Sequence, residues 1–310
     1  MARQLAASAS RRFLLYAPGS GRGHATRMGA LAAELCGLGH EILALLPGEA
    51  QQVARAVGAP AECLTALPSS EPERALDQAM REFAPSDLVV DTFPEGRGGT
   101  LDPRRWPHVR AVALLRYRRD VESAVVQNAV ARYAAAFDLE PELGWAGRGL
   151  SPFGAVVRRL GELPAAAPAS LKDRVLLIAS ERRHAAFLER LGERLRHKGV
   201  ATRLVAAGRL TAPLLTAEAL AGRVVVGPAG YNLTYELLAL GCWHLALPAA
   251  RQYDDQRLRA SRVASVVHAP EAAERRVLAW LAGHSPRPRG SVRQMWELAR
   301  ELVTARSAPG

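Results

Sequence analysis

The chain has 310 residues, a formal net charge of +11 and an apolar fraction of 49%. These values exclude a disordered chain and predict one large domain or two of ordinary size, at roughly 150 residues per domain. No apolar stretch reaches the ~18 residues of a membrane span, so we expect no transmembrane helix. The first segment, "MARQLAASASRR", lacks the apolar core of a signal peptide and is interpreted as a disordered lead-in.

Two of the 41 basic residues are lysines, so 39 are arginines. Together with the many alanines, this usage is typical of a GC-rich bacterial genome, which explains much of the charge. A basic surface also attracts phosphates, acidic membranes and nucleic acid. Because no nucleic-acid motif accompanies the charge, we predict a phosphate-bearing small substrate and no nucleic acid. Peripheral membrane contact is a second expectation.

The three cysteines lie far apart, at Cys36, Cys63 and Cys242. Their odd number and their spacing fit neither a zinc site nor a disulfide framework. Unpaired cysteines are typical of a reducing compartment, so we expect a cytoplasmic protein.

Short apolar strands alternate with helices in the first half of the chain. "RFLLYA" and "HEILALL" are predicted strands, and the segment between them, "HATRMGALAAELCGL", has the apolar spacing of a helix that ends at Gly39. Further strands are predicted at 86–91 and 109–115, followed by one helix through "DVESAVVQNAVARYAAAF". This alternation is typical of a parallel sheet.

The second half repeats the pattern. Strands are predicted at "DRVLLIAS", "VATRLVAA", "GRVVVGP" and "WHLALP", with helices between them and a last helix over "SVRQMWELARELVTARS". The segment "GELPAAAPASLKD" is the predicted linker. We therefore expect an α/β protein with two Rossmann-like parallel-sheet domains facing a cleft. The lead-in covers 1–12, the N-terminal domain 13–162, and the C-terminal domain, with the last helix, 163–310. Ligands of such sheets bind at the carboxyl ends of the strands.

The segment "GSGRGHATR" follows the first strand and carries glycines at Gly19, Gly21 and Gly23. A glycine-rich turn before a helix lets backbone N–H groups approach an anion, and Arg22 and Arg27 can add charge-assisted bonds. The segment is neither a Walker loop nor a G-x-G-x-x-G dinucleotide motif. A plain tight turn between strand and helix is the alternative.

Two side chains near the first sheet are candidates for chemistry. His24 starts the predicted helix, where the dipole disfavours the imidazolium and leaves a neutral base; a helix cap is the alternative. Asp91 ends a strand in "VVDTFPEGRGG", where it can orient a catalytic group or bind a substrate hydroxyl. The alternative there is a turn built on Thr92 and Pro94.

The segment "GPAGYNLTYELLALG" predicts a second site at a strand-to-helix turn. Glu236 lies in the first two turns of the helix and can accept two hydrogen bonds from vicinal hydroxyls, as on a ribose. The alternative is an ordinary acid near a helix start, with Asn232 and Thr234 as caps.

The segment "PAARQYDDQRLRA" places Asp254, Asp255 and Gln256 after a strand. These side chains can bind sugar hydroxyls, and an acidic helix start is the alternative.

Together these segments resemble glycosyltransferases of the two-domain B type (GT-B), and most closely the group that contains the peptidoglycan N-acetylglucosaminyltransferase. The resemblance implies transfer of a sugar from a nucleoside diphosphate donor, expected to be uridine-based, to a hydroxyl acceptor. It implies no metal and no cofactor besides the donor, because helix dipoles and basic groups stabilise the leaving diphosphate.

The resemblance also assigns roles to residues. His24 would be the general base or a group near the donor phosphates, on a loop shaped by Gly21 and Gly23. The donor would be bound at the ribose by Glu236 and elsewhere by Gly230, Tyr231, Asn232, Thr234, Asp255 and Gln256.

One segment departs from the family pattern, because "LLIASERRHAAF" has no glycine where the family has a glycine-rich turn. Ser180, Arg182 and Arg183 are expected to contact the donor phosphates there instead. The second domain is also short for the family. Two alternatives on the same fold therefore stay open: a sugar-nucleotide hydrolase in which His24 activates water, and a non-catalytic sugar-nucleotide-binding protein.

Overall fold

A computed structural model describes residues 10–19, 21–144, 150–158, 175–179, 182–206, 224–283 and 292–304. Two parallel sheets form the framework, one in each half of the chain. The predicted linker at 161–173 and the domain boundary at 162 lie outside the described residues, as do the first nine residues of the lead-in.

Seven parallel strands form the first sheet, in the order β3-β2-β1-β4-β5-β6-β7. Their inner strands are almost continuously buried, as expected for a parallel sheet covered on both faces. The strand order reverses between β1 and β4, which is where an open parallel sheet forms a ligand crevice. The strands are β1 (Arg12–Tyr16), β2 (Glu41–Pro47), β3 (Leu64–Leu67), β4 (Asp87–Asp91), β5 (Arg110–Leu115), β6 (Ala135–Asp138) and β7 (Ser151–Pro152).

Four helices accompany this sheet: α1 (Arg22–Gly37), α2 (Gln51–Ala56), α3 (Pro72–Phe83) and α4 (Ala124–Val130). The backbones of α1 and α2 approach closely, since a Cβ on Gly29 would lie 2.6 Å from the Cα of Ala54. Four short 3-10 turns are interspersed at Gly48–Ala50, Ala61–Cys63, Pro103–Arg105 and Pro141–Leu143.

The single helix predicted through "DVESAVVQNAVARYAAAF" is wrong. Ser123 caps a shorter helix by accepting a hydrogen bond from the Val126 N–H, and α4 ends at Val130. The alanine-rich remainder forms β6, whose residues pair with β5 and are mostly buried. Sheet pairing therefore outweighs the helix propensity of alanine in this segment.

The second sheet has five described strands, all parallel, in the order β10-β9-β11-β12-β13. Its strands are β9 (Val175–Ala179), β10 (Thr202–Ala206), β11 (Val224–Pro228), β12 (Trp243–Leu247) and β13 (Ser265–Val266). Its helices are α5 (Arg182–His197), α6 (Tyr231–Ala239), α7 (Gln256–Val263) and α8 (Pro270–Leu281).

The end of the chain returns to the first half. Strand β14 (Val292–Gln294) pairs in parallel with β8 (Ala155–Val157), and helix α9 (Met295–Thr304) follows. Helix α9 packs against α1, and its Leu298 and Leu302 are buried in the core cluster of the first half. The last helix therefore starts later than predicted, and it packs on the first sheet domain although the sequence places it in the second.

None of the three cysteines forms a disulfide, and two of them are in contact. The Sγ atoms of Cys36 and Cys63 lie 3.6 Å apart, and Cys242 is buried elsewhere. In the part of the chain that the structure describes, no helix is both long and apolar enough to cross a membrane.

Candidate functional site

Polar residues collect where neighbouring strands of the first sheet end. The glycine-rich loop follows β1, Asp91 ends β4, Arg116 follows β5 and Glu140 comes soon after β6. Because β1, β4, β5 and β6 are adjacent and parallel, their carboxyl ends share one edge. The start of α6 and Asp254, from the second half, face the same edge.

His24 and Asp91 form a short polar contact at this edge. The Nδ1 atom of His24 lies 2.5 Å from Oδ2 of Asp91, whose side chain is fully buried. Burial alone would raise the pKa of Asp91, but the Arg27 guanidinium and His24 lower it to about 2. An ionised carboxylate can only accept, so Nδ1 carries the proton and Nε2 keeps its lone pair.

The imidazole of His24 is a neutral base at pH 7. Burial lowers its pKa, Asp91 opposes that effect, and the charges of Arg27 and Arg116 lower the pKa further. A neutral imidazole with a free Nε2 lone pair meets the requirement for accepting a proton from a substrate.

The glycines of the first loop make room for this imidazole. A Cβ on Gly19 would lie 2.4 Å from Nε2 of His24, and one on Gly21 would lie 3.4 Å from its Cδ2. Arg22 is exposed at the first position of α1. The loop therefore sets the position of the histidine, which is a use of the glycines that the sequence alone did not reveal.

Arg27 does not face solvent, where a phosphate contact was expected. Its side chain is 1% exposed, and Nε and Nη2 donate to the two oxygens of Asp91 at 2.8 and 2.7 Å. The Nη2 atom also donates to Oγ1 of Thr92 at 3.1 Å. Arg27 is thus the main partner of the carboxylate that contacts His24.

The chain turns sharply after β4 and places an aromatic side chain beside His24. Thr92 has φ +67°, a strained value for a β-branched residue, and the Phe93 N–H donates to the Asp91 carbonyl across it at 2.8 Å. The Phe93 ring lies 5.7 Å from the His24 ring and 5.7 Å, edge-on, from Tyr253 of the second half. Strain of this kind is typical of functional sites. Sequence reasoning missed both aromatic residues.

The N-terminus of α6 lies against the N-terminus of α1. Asn232 donates from Nδ2 to the Gly23 carbonyl at 3.3 Å, and Gly230 occupies the cap position without any side-chain cap. The Tyr231 ring lies among guanidinium groups, with those of Arg27 and Arg116 at 5.1 and 4.9 Å. Uncapped helix starts and nearby cations favour an anion in this region.

Glu236 is buried against the first domain. It is 6% exposed and its Oε1 lies 3.0 Å from Nε of Arg158; burial raises its pKa and Arg158 opposes the rise. With Thr26 and Arg27 it borders a cavity of about 10 Å³, room for about one water molecule. His24 belongs to α1 and contacts Asp91, whereas Glu236, on α6, borders Thr26 and Arg27 of α1.

The remaining predicted donor residues have varied surroundings. The hydroxyl of Thr234 is buried without a hydrogen-bond partner among the described residues. Asp255 caps α7 by accepting from the Leu258 N–H at 2.9 Å, and the Gln256 side chain accepts from the Ala249 N–H at 2.9 Å. Ser180 lies outside the described residues, and Arg182 is the first residue of α5, but its side chain lies outside the description.

A buried ion-pair network joins the two halves beside this site. Glu140 accepts from Arg259 at 2.5 and 2.9 Å, and Asp254 pairs with Arg259 at 2.7 Å and with Arg116 at 3.0 Å. Sequence reasoning assigned no role to Glu140, Arg116 or Arg259. Their positions in the sequence could have indicated a shared site, because Arg116 and Glu140 each follow a buried strand of the same sheet. Among the described residues, no group of three His, Cys, Asp or Glu side chains could hold a metal ion.

No protein-family model matches the chain, and no curated protein matches it. Several solved structures do match. The spinosyn rhamnosyltransferase SpnG is 18% identical, with 96% of this chain and 100% of that chain covered and a TM-score of 0.64. VinC, a glycosyltransferase in complex with dTDP, is 14% identical over 94% of this chain and 98% of that chain, with a TM-score of 0.63. SnogD, a glycosyltransferase from Streptomyces nogalater, is 16% identical over 95% and 99%, with a TM-score of 0.61.

These likenesses, at low identity but across nearly the whole chain, concern the fold. Together with the two parallel sheets, they confirm the predicted fold class: the chain has the α/β fold of the GT-B glycosyltransferases, with two Rossmann-like domains.

Proposed function

We propose that the chain transfers a sugar from a nucleoside diphosphate donor to a hydroxyl group of an acceptor, with His24 as the general base. The observation that carries the proposal is the 2.5 Å contact between His24 and Asp91 at the end of β4, beside the uncapped start of α6. At this position a neutral base lies next to a helix start that favours an anion.

In the proposed reaction, the acceptor oxygen attacks the anomeric carbon of the donor sugar. The new carbon–oxygen bond forms as the bond between that carbon and the diphosphate oxygen breaks, and the nucleoside diphosphate leaves. The hydroxyl proton moves to Nε2 of His24. Asp91 holds the ring through Nδ1 and stabilises the imidazolium that forms.

The leaving diphosphate carries the charge that develops in this step. We place it at the start of α6, beside Gly230 and Thr234, where the helix dipole and Arg116 offset the charge without any requirement for a metal. Thr234 has a buried hydroxyl with no partner among the described residues, which supports a role in binding. Ser180 and Arg182 remain proposed phosphate contacts.

Glu236 is the proposed contact of the donor ribose, whose hydroxyls would take the place of the Arg158 guanidinium. The resemblance to the peptidoglycan N-acetylglucosaminyltransferase group favours a uridine nucleotide, whereas VinC and one SpnG structure are described with thymidine diphosphate. Donors of both kinds therefore belong in the test. We also propose a cytoplasmic location, as expected from the odd number and the spacing of the three cysteines.

The test begins with a thermal-shift screen of the full chain against UDP, dTDP and their sugars. Donors that bind are incubated with and without a panel of hydroxyl-bearing acceptors, and products are analysed by mass spectrometry. The proposal expects sugar-bearing acceptor and free nucleoside diphosphate in equal amounts. Release of free sugar at the same rate without acceptor would instead identify a sugar-nucleotide hydrolase. Tight binding of the donor without turnover would identify a non-catalytic binding protein.

Calorimetry with the nucleotide found by the screen tests the ribose contact. Glu236→Ala is expected to weaken nucleotide binding by about 1–3 kcal/mol, because ribose hydroxyls lose their acceptor. Glu271, an exposed acid at the start of α8, supplies the control variant Glu271→Ala, which is expected to bind as the wild type does. Equal affinity of all three proteins would remove Glu236 from the donor site.

A further inference from the structure

Arg27 is a buried cation beside the proposed base, because its guanidinium pairs with the same carboxylate, Asp91, that His24 contacts. Oδ2 of Asp91 accepts both from Nη2 of Arg27 at 2.7 Å and from Nδ1 of His24 at 2.5 Å. The side chains of Arg27 and Asp91 are 1% and 0% exposed, so water screens neither charge. The carboxylate is thus shared between a permanent cation and a titratable imidazole.

The buried carboxylate of Asp91 raises the pKa of His24, in opposition to burial, which lowers it. An opposite charge at hydrogen-bond distance favours the protonated imidazole, and the effect is large where water is excluded. An imidazolium has no lone pair on Nε2 and cannot accept a proton from a substrate. A group that limits the effect of Asp91 therefore acts together with burial to keep His24 neutral.

The charges that face His24 come from three elements. Helix α1 supplies Arg27, the end of β4 supplies Asp91, and the segment after β5 supplies Arg116, which is itself paired with Asp254 of the second half. The guanidinium of Arg27 offsets part of the effect of Asp91, and the charges of Arg27 and Arg116 both lower the pKa of His24.

We infer that Arg27 is a positioning residue, whose guanidinium fixes and neutralises Asp91 and so keeps His24 as a neutral imidazole with Nε2 free. This inference rests on the proposed function for its catalytic meaning, but its geometry is independent of any substrate. Arg27 also bonds Thr92 and stacks on Tyr231. A purely structural Arg27 would affect folding alone and would leave the titration of a folded His24 unchanged.

NMR titration of the His24 Cε1–H signal, assigned with His24→Gln, measures this effect directly in the full-length protein. Arg27→Met is expected to raise the titration midpoint of His24 by about 1–3 pH units, because Asp91 then acts unopposed. Arg27→Lys keeps the charge and is expected to keep a midpoint close to the wild-type value. An unchanged or lower midpoint in a folded Arg27→Met protein would overturn the inference.

A second comparison avoids the buried, unpaired carboxylate that Arg27→Met creates. In an Asp91→Asn background, adding Arg27→Met removes the remaining cation and is expected to raise the His24 midpoint again. Equal midpoints in Asp91→Asn and in the double variant would also overturn the inference. The titration involves no substrate, so the two proposals can fail separately. A failure of sugar transfer would contradict the proposed function but not the effect of Arg27 on His24. An unchanged titration midpoint would contradict only the role of Arg27.

Discussion

The ion pair between Glu140 and Arg259 allows a stability prediction that depends on its complete burial. Both side chains are 0% exposed, and Arg259 donates two hydrogen bonds to Glu140 from across the contact between the two halves. In Arg259→Met, Glu140 keeps the Tyr117 N–H as a donor at 3.1 Å, and its remaining cation is Arg116, whose Nε lies 3.8 Å from Oε2. The carboxylate then lies buried without its hydrogen-bonded cation, which costs about 3–5 kcal/mol of unfolding free energy.

The double variant Glu140→Gln/Arg259→Met separates the charge from the packing. It removes both charges, so we expect it to be more stable than Arg259→Met, since neutral replacements of a buried pair are often close to neutral in stability. Urea denaturation followed by circular dichroism gives the free energies. The surface pair Arg74 and Glu71, with side chains 81% and 58% exposed, supplies the control, and Arg74→Met is expected to change stability by less than about 0.5 kcal/mol.

Two results would contradict the stability cost assigned to the unpaired charge of Glu140. One is a cost below about 1 kcal/mol for Arg259→Met, which would show that the pair contributes no more than a surface contact. The other is a double variant as unstable as the single one, which would assign the loss to packing or to Asp254, the second carboxylate that Arg259 pairs with, instead of to Glu140.

Three further predictions follow from the first domain. Gly19→Ala places a Cβ 2.4 Å from Nε2 of His24, so we expect it to displace the ring and lower sugar transfer, with nucleotide affinity by calorimetry unchanged. Gly29→Ala would put its Cβ 2.6 Å from backbone and should destabilise the fold in urea, whereas Gly37→Ala, with no atom within 4 Å, should not. The folded pKa of Asp91, about 2, lies below its unfolded value of about 3.9, so its stabilisation is present above pH ~4 and lost as the pH falls to 2. Asp91→Asn should remove that part of the acid dependence of the urea midpoint.

The sequence located the two groups of the dyad through their positions next to predicted strands. His24 follows the first strand and Asp91 ends another, and parallel strands bring such positions to one edge whatever the exact packing. Their direct contact was not predictable, because strand order decides which ends are neighbours. The reversal of order between β1 and β4 is what makes them adjacent.

Other features depend on contacts that no local pattern contains. The sequence pattern predicts Arg27 to be a surface arginine near a helix start. In the structure it is buried, because it forms an ion pair with the buried carboxylate of Asp91. Likewise, α9 has an ordinary amphipathic pattern, but its packing on α1 joins residues more than 250 positions apart. The sequence predicts a helix at β6 because alanine has a high helix propensity. Pairing with β5 makes this segment a strand, and no local pattern contains that pairing.

In the proposed sugar transfer, His24 removes the proton of the acceptor hydroxyl. The most direct test of this role is the turnover number of His24→Ala with the donor and acceptor that the wild type uses, alongside nucleotide affinity in the same preparation. His108, an exposed histidine of the first domain, supplies the control variant His108→Ala. We expect a fall in turnover of roughly 100-fold or more for His24→Ala with nearly unchanged nucleotide affinity, and wild-type turnover for His108→Ala. Near-normal turnover without the imidazole would contradict it.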